Sequence, residues 1–308
     1  MEFAARPVYA LAPVPSETTT MKQSLLRSAL YMPGANQRAM DKARSLPCDA
    51  VIFDLEDAVA PDMKETARDQ VLAQYAAGGY GERRLVIRAN SIDSPWGEAD
   101  LAALGAAGVT TVCLPKVDSA DQLKRCIDAL YQAGAPTGLQ LWAMIETPHG
   151  VANVEAICAA ADELEALLMG TTDLAHQLRT PRRADRLGLQ YALGKCVNAG
   201  RMYGRTLLDS VCLDIADAEA FRADCEQGRA LGFDGKTLIH PSQIDITNQV
   251  YGFSDEQIVH SRRVIAAWRA AEAEGKGVAV LDGKLVETMH VDEAQRILDL
   301  TDSRIETE

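Results

Sequence analysis

The stretch Val51-Ile-Phe-Asp-Leu-Glu-Asp-Ala-Val59 decides how this chain folds, because an apolar run ends abruptly in the acids Asp54, Glu56 and Asp57. A short apolar run bounded by charge is typical of a buried strand at the point where it leaves a sheet. In a parallel barrel the carboxyl ends of all strands gather at one rim, where barrel enzymes carry out their chemistry. The stretch therefore predicts a barrel with acids at its rim.

Two further acids follow apolar runs downstream. Glu146 closes Leu141-Trp-Ala-Met-Ile145, and Asp173 follows Leu167-Leu-Met-Gly-Thr-Thr172. An acid after a strand commonly caps the next helix, and Asp173 before Leu174 fits that explanation. Mg²⁺, however, takes oxygen ligands and commonly uses one or two carboxylates with waters and substrate. Because both acids occupy equivalent strand-end positions, we favour Glu146 and Asp173 as a metal-binding pair and predict a metal-dependent enzyme.

Apolar, partly β-branched segments recur along the chain, and each is followed by a stretch with helical spacing of its apolar residues. This alternation predicts parallel pairing and a TIM (β/α)8 barrel, an α/β fold. The predicted strands are Ser28–Met32, Ala50–Phe53, Arg84–Ala89, Thr110–Leu114, Leu139–Ile145, Ala166–Met169, Thr206–Asp209 and Gly235–Ile239.

The pattern changes after the last predicted strand. Asp255–Gly275 fits one long amphipathic helix opened by Ser254, and Gly283 marks a turn before a final helix around Asp292–Leu300. We therefore predict a barrel domain over residues 24–250 and a C-terminal helical lid or oligomerisation arm over residues 251–308. Residues 1–23 show no apolar run long enough for a signal peptide or a membrane span, and we expect a disordered leader, with Met21 as an alternative start.

The composition excludes several classes of protein. A chain of 308 residues with 47% hydrophobic residues can bury a large core. The formal charge of −13 argues against general binding of nucleic acid, whose phosphates require a basic patch. The seven cysteines include no Cys-x-x-Cys pair and favour neither a disulfide framework nor a clustered zinc site. We expect a protein of the reducing cytoplasm without a membrane partner.

Glu56 and Asp57 allow two interpretations. They fit first-turn acids of the following helix, which the helix dipole favours, and they equally fit groups that hold metal-bound waters. Arg88, at the end of its strand, either pairs with a surface carboxylate or faces a metal and stabilises a developing oxyanion. Lys116 fits a Schiff-base lysine only weakly, because the preceding Pro115 turns the chain and places it at the barrel mouth, beside a phosphate or carboxylate.

Several motifs follow one another in an order that resembles a known family. They are Arg27-Ser with Met32-Pro-Gly34, Asp54-Leu-Glu-Asp-Ala-Val59, Arg88-Ala-Asn90, Pro115-Lys-Val117, Ile145-Glu-Thr147, Gly170-Thr-Thr-Asp-Leu174 and Gly232-Phe-Asp-Gly-Lys with Ile239-His-Pro-Ser-Gln-Ile244. The chain resembles the citrate lyase beta subunit-like proteins of the HpcH/HpaI aldolase superfamily, which include malyl-CoA, β-methylmalyl-CoA and citramalyl-CoA lyases. The resemblance covers about residues 24 to 300.

The resemblance implies a lyase that cleaves a 3-hydroxyacyl-CoA into acetyl-CoA or propionyl-CoA and a 2-oxo acid, glyoxylate or pyruvate. It implies Mg²⁺ as cofactor, with Mn²⁺ as an alternative, and assembly as trimers or hexamers. The matching site residues are Glu146 and Asp173 as metal ligands, Glu56 and Asp57 as holders of metal-bound water, Arg88 as the group that steadies the enolate, and Arg27 and Lys116 near substrate or CoA phosphates.

The chain departs from the family near its C-terminus. Many members carry an aspartate there as the acid/base group, whereas Gly283-Lys-Leu-Val-Glu-Thr-Met-His290 has Glu287 in that place. The longer side chain either serves with an adjusted lid or marks a subgroup with another substrate. Two alternative functions remain open beside the lyase, namely a malyl-CoA thioesterase and a citrate lyase beta subunit that acts on citryl-acyl carrier protein.

Overall fold

The structure, a computed structural model, describes residues 25–305, with side chains described up to residue 301. The predicted leader over residues 1–23 lies outside this part of the chain. Contacts divide the described residues into a larger unit, Leu26–Gly252, and a second unit that begins at Phe253.

In the larger unit, eight parallel strands of the described chain close into a barrel in chain order, and β1 pairs with both β2 and β8. The strands are β1 (Ser28–Pro33), β2 (Ala50–Asp54), β3 (Arg84–Arg88), β4 (Thr111–Leu114), β5 (Gln140–Ile145), β6 (Leu164–Met169), β7 (Thr206–Asp209) and β8 (Gly235–Leu238). The predicted TIM barrel is confirmed, and each predicted strand end lies within two residues of the observed one.

Helices follow the strands, because parallel neighbours require a crossover connection. They are α1 (Gln37–Ala43), α2 (Lys64–Ala77), α3 (Gly97–Ala106), α4 (Ala120–Gln132), α5 (Pro148–Cys158), α6 (Thr171–Gln177), α7 (Gln190–Met202), α8 (Ala218–Leu231) and α9 (Ile244–Tyr251). Short 3-10 helices occupy Pro61–Met63, Leu187–Leu189 and Pro241–Gln243. Side-chain oxygens cap α4 and α5, where Ser119 accepts from Gln122 N and Thr147 from Gly150 N.

The barrel wall has an apolar core on each of its sides. Side chains such as Ile52, Val86 and Trp142 fill the interior of the barrel, whereas a much larger cluster packs the outer wall against the helices. At the amino end of the interior, Trp142 Nε1 donates to Glu165, which also binds Arg84. A filled interior of this kind leaves the rim at the carboxyl ends of the strands as the place for a site.

The second unit consists of two helices joined by a hairpin. These elements are α10 (Asp255–Ala273), β9 (Ala279–Leu281), β10 (Lys284–Val286) and α11 (Thr288–Ile305). Ser254 opens α10, as predicted, and forms a capping box with Gln257. The turn at Asp282 and Gly283 has positive φ at both residues, 51° and 76°, the geometry of a two-residue hairpin loop. The hairpin was not predicted, and α11 begins earlier than the predicted Asp292.

The described residues contain no helix long and apolar enough to cross a membrane. All seven cysteines lie in this part of the chain and are free.

Candidate active site

Arg88 and Asp54 form the innermost part of the rim. Both residues end their strands, and the register of β2 and β3 sets them opposite each other. Arg88 Nε donates to Asp54 Oδ1 at 2.7 Å, and Nη2 donates to Oδ2 at 2.6 Å. Asp54 is 1% exposed and also accepts from the backbone N–H groups of Glu56 and Ala58. Four donors therefore hold the Asp54 carboxylate, which in turn fixes the plane of the guanidinium.

The remaining nitrogen of Arg88 points toward the acids of the following turn. Nη1 lies 3.0 Å from Glu56 Oε2 and 3.5 Å from Asp57 Oδ2, and the guanidinium lies over the ring of Tyr31 at 4.7 Å. Burial alone would lower the pKa of Arg88, but the charges of Asp54 and Glu56 outweigh it and hold the pKa well above its ordinary value. Arg88 is therefore a permanent, buried cation, and its carboxylate partner is not on the surface.

Lys116 connects the acids of different strand ends. Its backbone N–H donates to Glu146 Oε1 at 2.7 Å, its Nζ donates to Glu56 Oε1 at 2.6 Å, and Nζ lies 3.8 Å from Asp173 Oδ2. The φ of 51° is rare for a residue with a β-carbon and turns the backbone N–H toward the site. Burial opposes protonation, but the hydrogen bond and charge of Glu56 raise the pKa of Lys116. A lysine held protonated is unsuited to Schiff-base formation, and its position at the mouth agrees with the prediction.

Glu146 follows β5 and is 3% exposed. Burial and the nearby charge of Glu56 raise the pKa of Glu146 to about 8, against the opposing effects of Lys116 and Arg88. Gly170, after the neighbouring strand, makes room for this side chain, because a β-carbon at position 170 would lie 2.4 Å from both Cβ and Oε2 of Glu146. Gly170, three residues before Asp173, therefore leaves the space that the Glu146 carboxylate occupies at the rim.

The helix-capping explanations for the rim acids are wrong. The N-cap of α5 is Thr147 and that of α6 is Gly170, so neither Glu146 nor Asp173 caps a helix. Asp173 is instead the third residue of α6, with its side chain 37% exposed. Glu56 and Asp57 lie in the turn after β2, ahead of the 3-10 helix at Pro61–Met63, and are not first-turn acids of α2.

Arg27 is the predicted site residue that lies away from the rim. It precedes β1 at the amino end of the barrel, so the length of the strand, about 20 Å, separates it from the rim. Its Nε and Nη2 donate to the carboxylate of Asp49 at 2.9 and 2.8 Å. This guanidinium binds Asp49 at the amino end of the barrel, on the side opposite the rim. Elsewhere at the rim, His240 binds Ser242 and caps the 3-10 helix at Pro241–Gln243.

Glu287 belongs to the second unit. It is exposed and directly precedes α11, and its backbone N–H donates to His290 Nδ1 at 3.0 Å. Its role stays a prediction from the family resemblance.

Two buried residues that hold the turn after β2 in place, Lys64 and Asn90, were not identified from the sequence. Lys64 and Asn90 are buried and bind the backbone of the turn that carries Glu56. Asp54 lies in the stretch that opens the sequence analysis, but which acid pairs with Arg88 could not be decided without the register of the strands. A cavity of about 470 Å³ opens beside Lys64 and Asn90 and is lined in part by Asp57, Trp96 and Lys116.

The donor set fits a hard divalent cation. The described residues contain no group of three or more Asp, Glu, His or Cys side chains placed to hold a metal by themselves. Glu146 and Asp173 could supply two carboxylates, and waters and substrate would complete the ligand set, as is usual for Mg²⁺. Glu56 Oε2 is buried and accepts no hydrogen bond, although Arg88 Nη1 is close enough for an ion pair. A metal-bound water would give that oxygen a donor.

Comparison with known proteins shows the family. Residues 27–241 match the family described as HpcH/HpaI aldolase/citrate lyase. The chain belongs to this HpcH/HpaI family. The resemblance seen in the motifs is thereby confirmed.

The chain is similar to several characterised members of the HpcH/HpaI family. It is 46% identical to a (3S)-malyl-CoA thioesterase of Cereibacter sphaeroides over 272 residues, which are 88% of this chain and 93% of the relative. It is 35% identical to the citrate lyase subunit beta of Escherichia coli, covering 88% of this chain and 92% of the relative. Among solved structures, CitE of Mycobacterium tuberculosis in complex with magnesium, acetoacetate and coenzyme A matches with a TM-score of 0.72 at 29% identity, over 92% of this chain and 100% of that chain.

Proposed function

We propose that this protein is a Mg²⁺-dependent enzyme that binds a malyl-CoA-type thioester and hydrolyses the thioester bond. The observation that carries the proposal is the rim itself, where the carboxylates of Glu146, Asp173 and Glu56 surround Lys116 beside the fixed guanidinium of Arg88. The relatives named (3S)-malyl-CoA thioesterase, at 44–46% identity, support hydrolysis of such a substrate. Those named citrate lyase subunit beta are 31–35% identical.

The cofactor is proposed from the donor set and from the magnesium in the related CitE structures. Glu146 and Asp173 would hold the ion, and Glu56 and Asp57 would accept hydrogen bonds from its waters. Mg²⁺ bound there would supply Lewis-acid chemistry to the oxygens of the acyl group. Lys116 adds a second positive charge at the mouth, where the anionic substrate enters. These cations offset the charge of −13 that would otherwise repel the substrate.

Arg88 contributes to the transition state. Attack of water on the thioester carbon forms a carbon–oxygen bond and places negative charge on the carbonyl oxygen. The carbon–sulfur bond then breaks, the proton released by the water passes to the CoA thiolate, and malate and free CoA are the products. The guanidinium is already oriented by Asp54 and buried, so it stabilises that charge without reorganising. A buried cation gives more stabilisation than a cation in water, because the local dielectric is lower.

A carbon–carbon lyase is the second candidate, and the same guanidinium favours it. In that reaction the hydroxyl proton leaves, the bond between the hydroxyl-bearing carbon and the α-carbon breaks, and its electrons pass to the thioester oxygen. Arg88 would stabilise the resulting enolate, which takes a proton at carbon to give acetyl-CoA or propionyl-CoA, with glyoxylate or pyruvate as the other product. Membership of the HpcH/HpaI family supports a lyase. We rank the lyase second because the chain is more similar to the relatives named thioesterase than to those named citrate lyase subunit beta.

Product analysis tests the proposal. Purified protein is incubated with (3S)-malyl-CoA, β-methylmalyl-CoA and citramalyl-CoA, with Mg²⁺, with Mn²⁺ and with a chelator. Free CoA with malate supports the thioesterase, whereas acetyl-CoA with glyoxylate supports the lyase. Turnover that persists in chelator overturns the metal site. A subunit acting on citryl-acyl carrier protein would turn over none of the CoA esters and would bind the carrier.

A further inference from the structure

Lys64 is a buried lysine at the first position of α2, and the proposed chemistry does not use it. It is 6% exposed, and its Nζ lies 5.2 Å from the centre of the Trp96 ring. A cation at a helix N-terminus is disfavoured by the helix dipole, and burial of the ammonium costs further free energy. Burial accordingly lowers the pKa of Lys64, against the charges of Asp54 and Glu56. Because both the helix dipole and burial disfavour an ammonium at this position, we expect the hydrogen bonds of Lys64 to be the reason for its presence.

Those contacts hold the turn that carries the rim acids. Lys64 Nζ donates to the backbone carbonyl of Leu55 at 2.8 Å and to that of Glu56 at 2.7 Å. It donates its third hydrogen to Asn90 Oδ1 at 2.7 Å. An ammonium has three hydrogens, and all are used. The two carbonyls flank the α-carbon of Glu56, so Lys64 fixes the peptides from which the Glu56 side chain leaves toward Lys116 and Arg88.

Asn90 extends the contact to the next strand end. Its Nδ2 donates to the Leu55 carbonyl at 3.0 Å and to Asp100 Oδ2 at 2.6 Å, and its backbone N–H donates to the same Asp100 oxygen at 2.9 Å. Arg68, one turn after Lys64 on α2, binds the other Asp100 oxygen at 3.0 Å. This series of buried hydrogen bonds therefore joins the turn after β2 to the segment that follows Arg88. One face of α2 supplies both cations.

We infer that Lys64 is a positioning residue for the metal site, which holds the backbone at Glu56 so that this carboxylate meets Arg88, Lys116 and the waters of a bound divalent cation. The inference rests on the proposed function, because the cation is part of it. The three hydrogen bonds of Lys64 Nζ go to Leu55, Glu56 and Asn90, and none goes to the proposed metal ligands. It acts through Glu56, as outer groups around metal sites do when they orient the inner ones.

The test measures binding of Mg²⁺ alone by calorimetry in the full-length protein, so that it does not depend on turnover. Lys64→Met keeps the length of the side chain and removes its hydrogen bonds and charge. We expect its Mg²⁺ affinity to fall about tenfold, the lower end of the range for groups that support metal ligands. With malyl-CoA, the Mg²⁺ concentration for half-maximal rate should rise by a similar factor while the KM for thioester changes little.

Arg205→Met is the matched control. Arg205 is also a partly buried cation that binds backbone carbonyls, those of Cys158, Ala161 and Leu164, and burial lowers its pKa too. It directly precedes β7, at the amino end of the barrel. This variant should lose stability and keep its Mg²⁺ affinity. An equal loss of affinity in both variants, or an unchanged affinity in Lys64→Met, overturns the inference.

Asn90→Ala keeps the inference testable where Lys64→Met does not fold. It removes one acceptor of Lys64 and one donor to Leu55, and we expect about fivefold weaker Mg²⁺ binding, the value of one hydrogen bond. Unchanged binding in this variant counts against the inference. Failure of the proposed function shows itself differently, since unaltered protein that binds Mg²⁺ without cleaving any thioester refutes the activity and leaves the role of Lys64 standing. Unaltered protein that binds no Mg²⁺ refutes both.

Discussion

Asp54 and Arg88 face each other in register across β2 and β3, and both guanidinium–carboxylate hydrogen bonds of the pair lie inside the barrel mouth. Because Asp54 occupies two nitrogens of Arg88, only Nη1 remains directed at the turn that carries Glu56 and Asp57. The pair therefore selects one orientation of the guanidinium before any substrate arrives. Preorganisation of this kind is the main source of electrostatic stabilisation in active sites.

Asp54→Asn should lower kcat more than it raises KM. The amide keeps the shape of the carboxylate but removes the charge and one acceptor, so Arg88 loses its fixed orientation, and a group that acts in the transition state affects kcat. The change also removes the best-placed counter-ion of the buried guanidinium and leaves only the contacts of Nη1 with Glu56 and Asp57, so the free energy of unfolding should fall by about 3 kcal/mol. Steady-state kinetics and urea unfolding measure the two effects.

Asp49→Asn is the control for that variant. Asp49 makes the same two-point contact with Arg27 at the opposite end of the barrel. It should lose stability with kcat preserved. If Asp54→Asn kept the kcat of the unaltered enzyme, the orienting role of Asp54 would be refuted.

Gly170→Ala should weaken Mg²⁺ binding at least tenfold. The new β-carbon would lie 2.4 Å from Glu146 Cβ, an atom fixed close to the backbone, so the Glu146 carboxylate must leave its position. Displaced ligands of this kind typically cost about 10-fold to 100-fold in metal affinity. Calorimetry with Mg²⁺ measures the change. Gly194→Ala in α7 is the control, because no heavy atom lies within 4 Å of its added β-carbon, and this variant should bind Mg²⁺ normally. Normal binding by both variants would contradict the packing argument.

The barrel was predictable because each strand is a short apolar run that ends in a turn signal, and the crossover rule leaves few ways to arrange such units. The acids at the rim were predictable for the same reason. Glu146 and Asp173 follow strands, and the carboxyl ends of parallel strands meet at one rim. The hairpin of the second unit was missed because its strands, Ala279–Leu281 and Lys284–Val286, are each three residues long.

The partners of the rim residues were not predictable in the same way. That Arg88 makes a two-point contact with Asp54 and turns only Nη1 toward Glu56 depends on a register that a single sequence does not reveal. Lys64 comes ten residues after β2, and only the 3-10 turn at Pro61–Met63 returns it beneath Glu56. Arg27 was misplaced because its role came from the family motif alone, although the predicted strand Ser28–Met32 already set this residue before β1, at the amino end of the barrel.

The free energy of unfolding should decrease above about pH 8.5, in part because of Cys196. Burial raises the pKa of this thiol to about 12 in the folded chain, whereas an unfolded chain has a cysteine pKa of about 8.5. Below the unfolded value the thiol is protonated in both states, and its contribution to stability is complete. As the pH rises further the unfolded chain loses this proton first, so stability falls by about 1.4 kcal/mol per pH unit for the thiol until the folded pKa is reached.

Urea unfolding of Cys196→Ala and of the unaltered protein between about pH 9 and about pH 10.5 measures this effect, because the variant should lose stability less steeply. Parallel slopes over that interval would show that Cys196 does not keep its proton in the folded state.

Glu287→Ala should reduce kcat about 100-fold, the smaller effect expected for loss of a general acid or base, and leave Mg²⁺ binding unchanged. The prediction follows from the family resemblance, in which this position carries the acid/base carboxyl, and the exposed side chain next to α11 is free of the buried contacts that would give it a structural purpose. Glu287 belongs to the second unit, whereas the proposed metal ligands belong to the barrel. Glu287→Ala should therefore lower kcat without changing the affinity for Mg²⁺. Asp292→Ala, which removes an exposed acid of the same unit, should keep full activity. Steady-state kinetics with malyl-CoA measures kcat, and calorimetry measures Mg²⁺ binding. Full activity of Glu287→Ala would show that Glu287 is not the acid/base group and that a residue of the barrel transfers the proton.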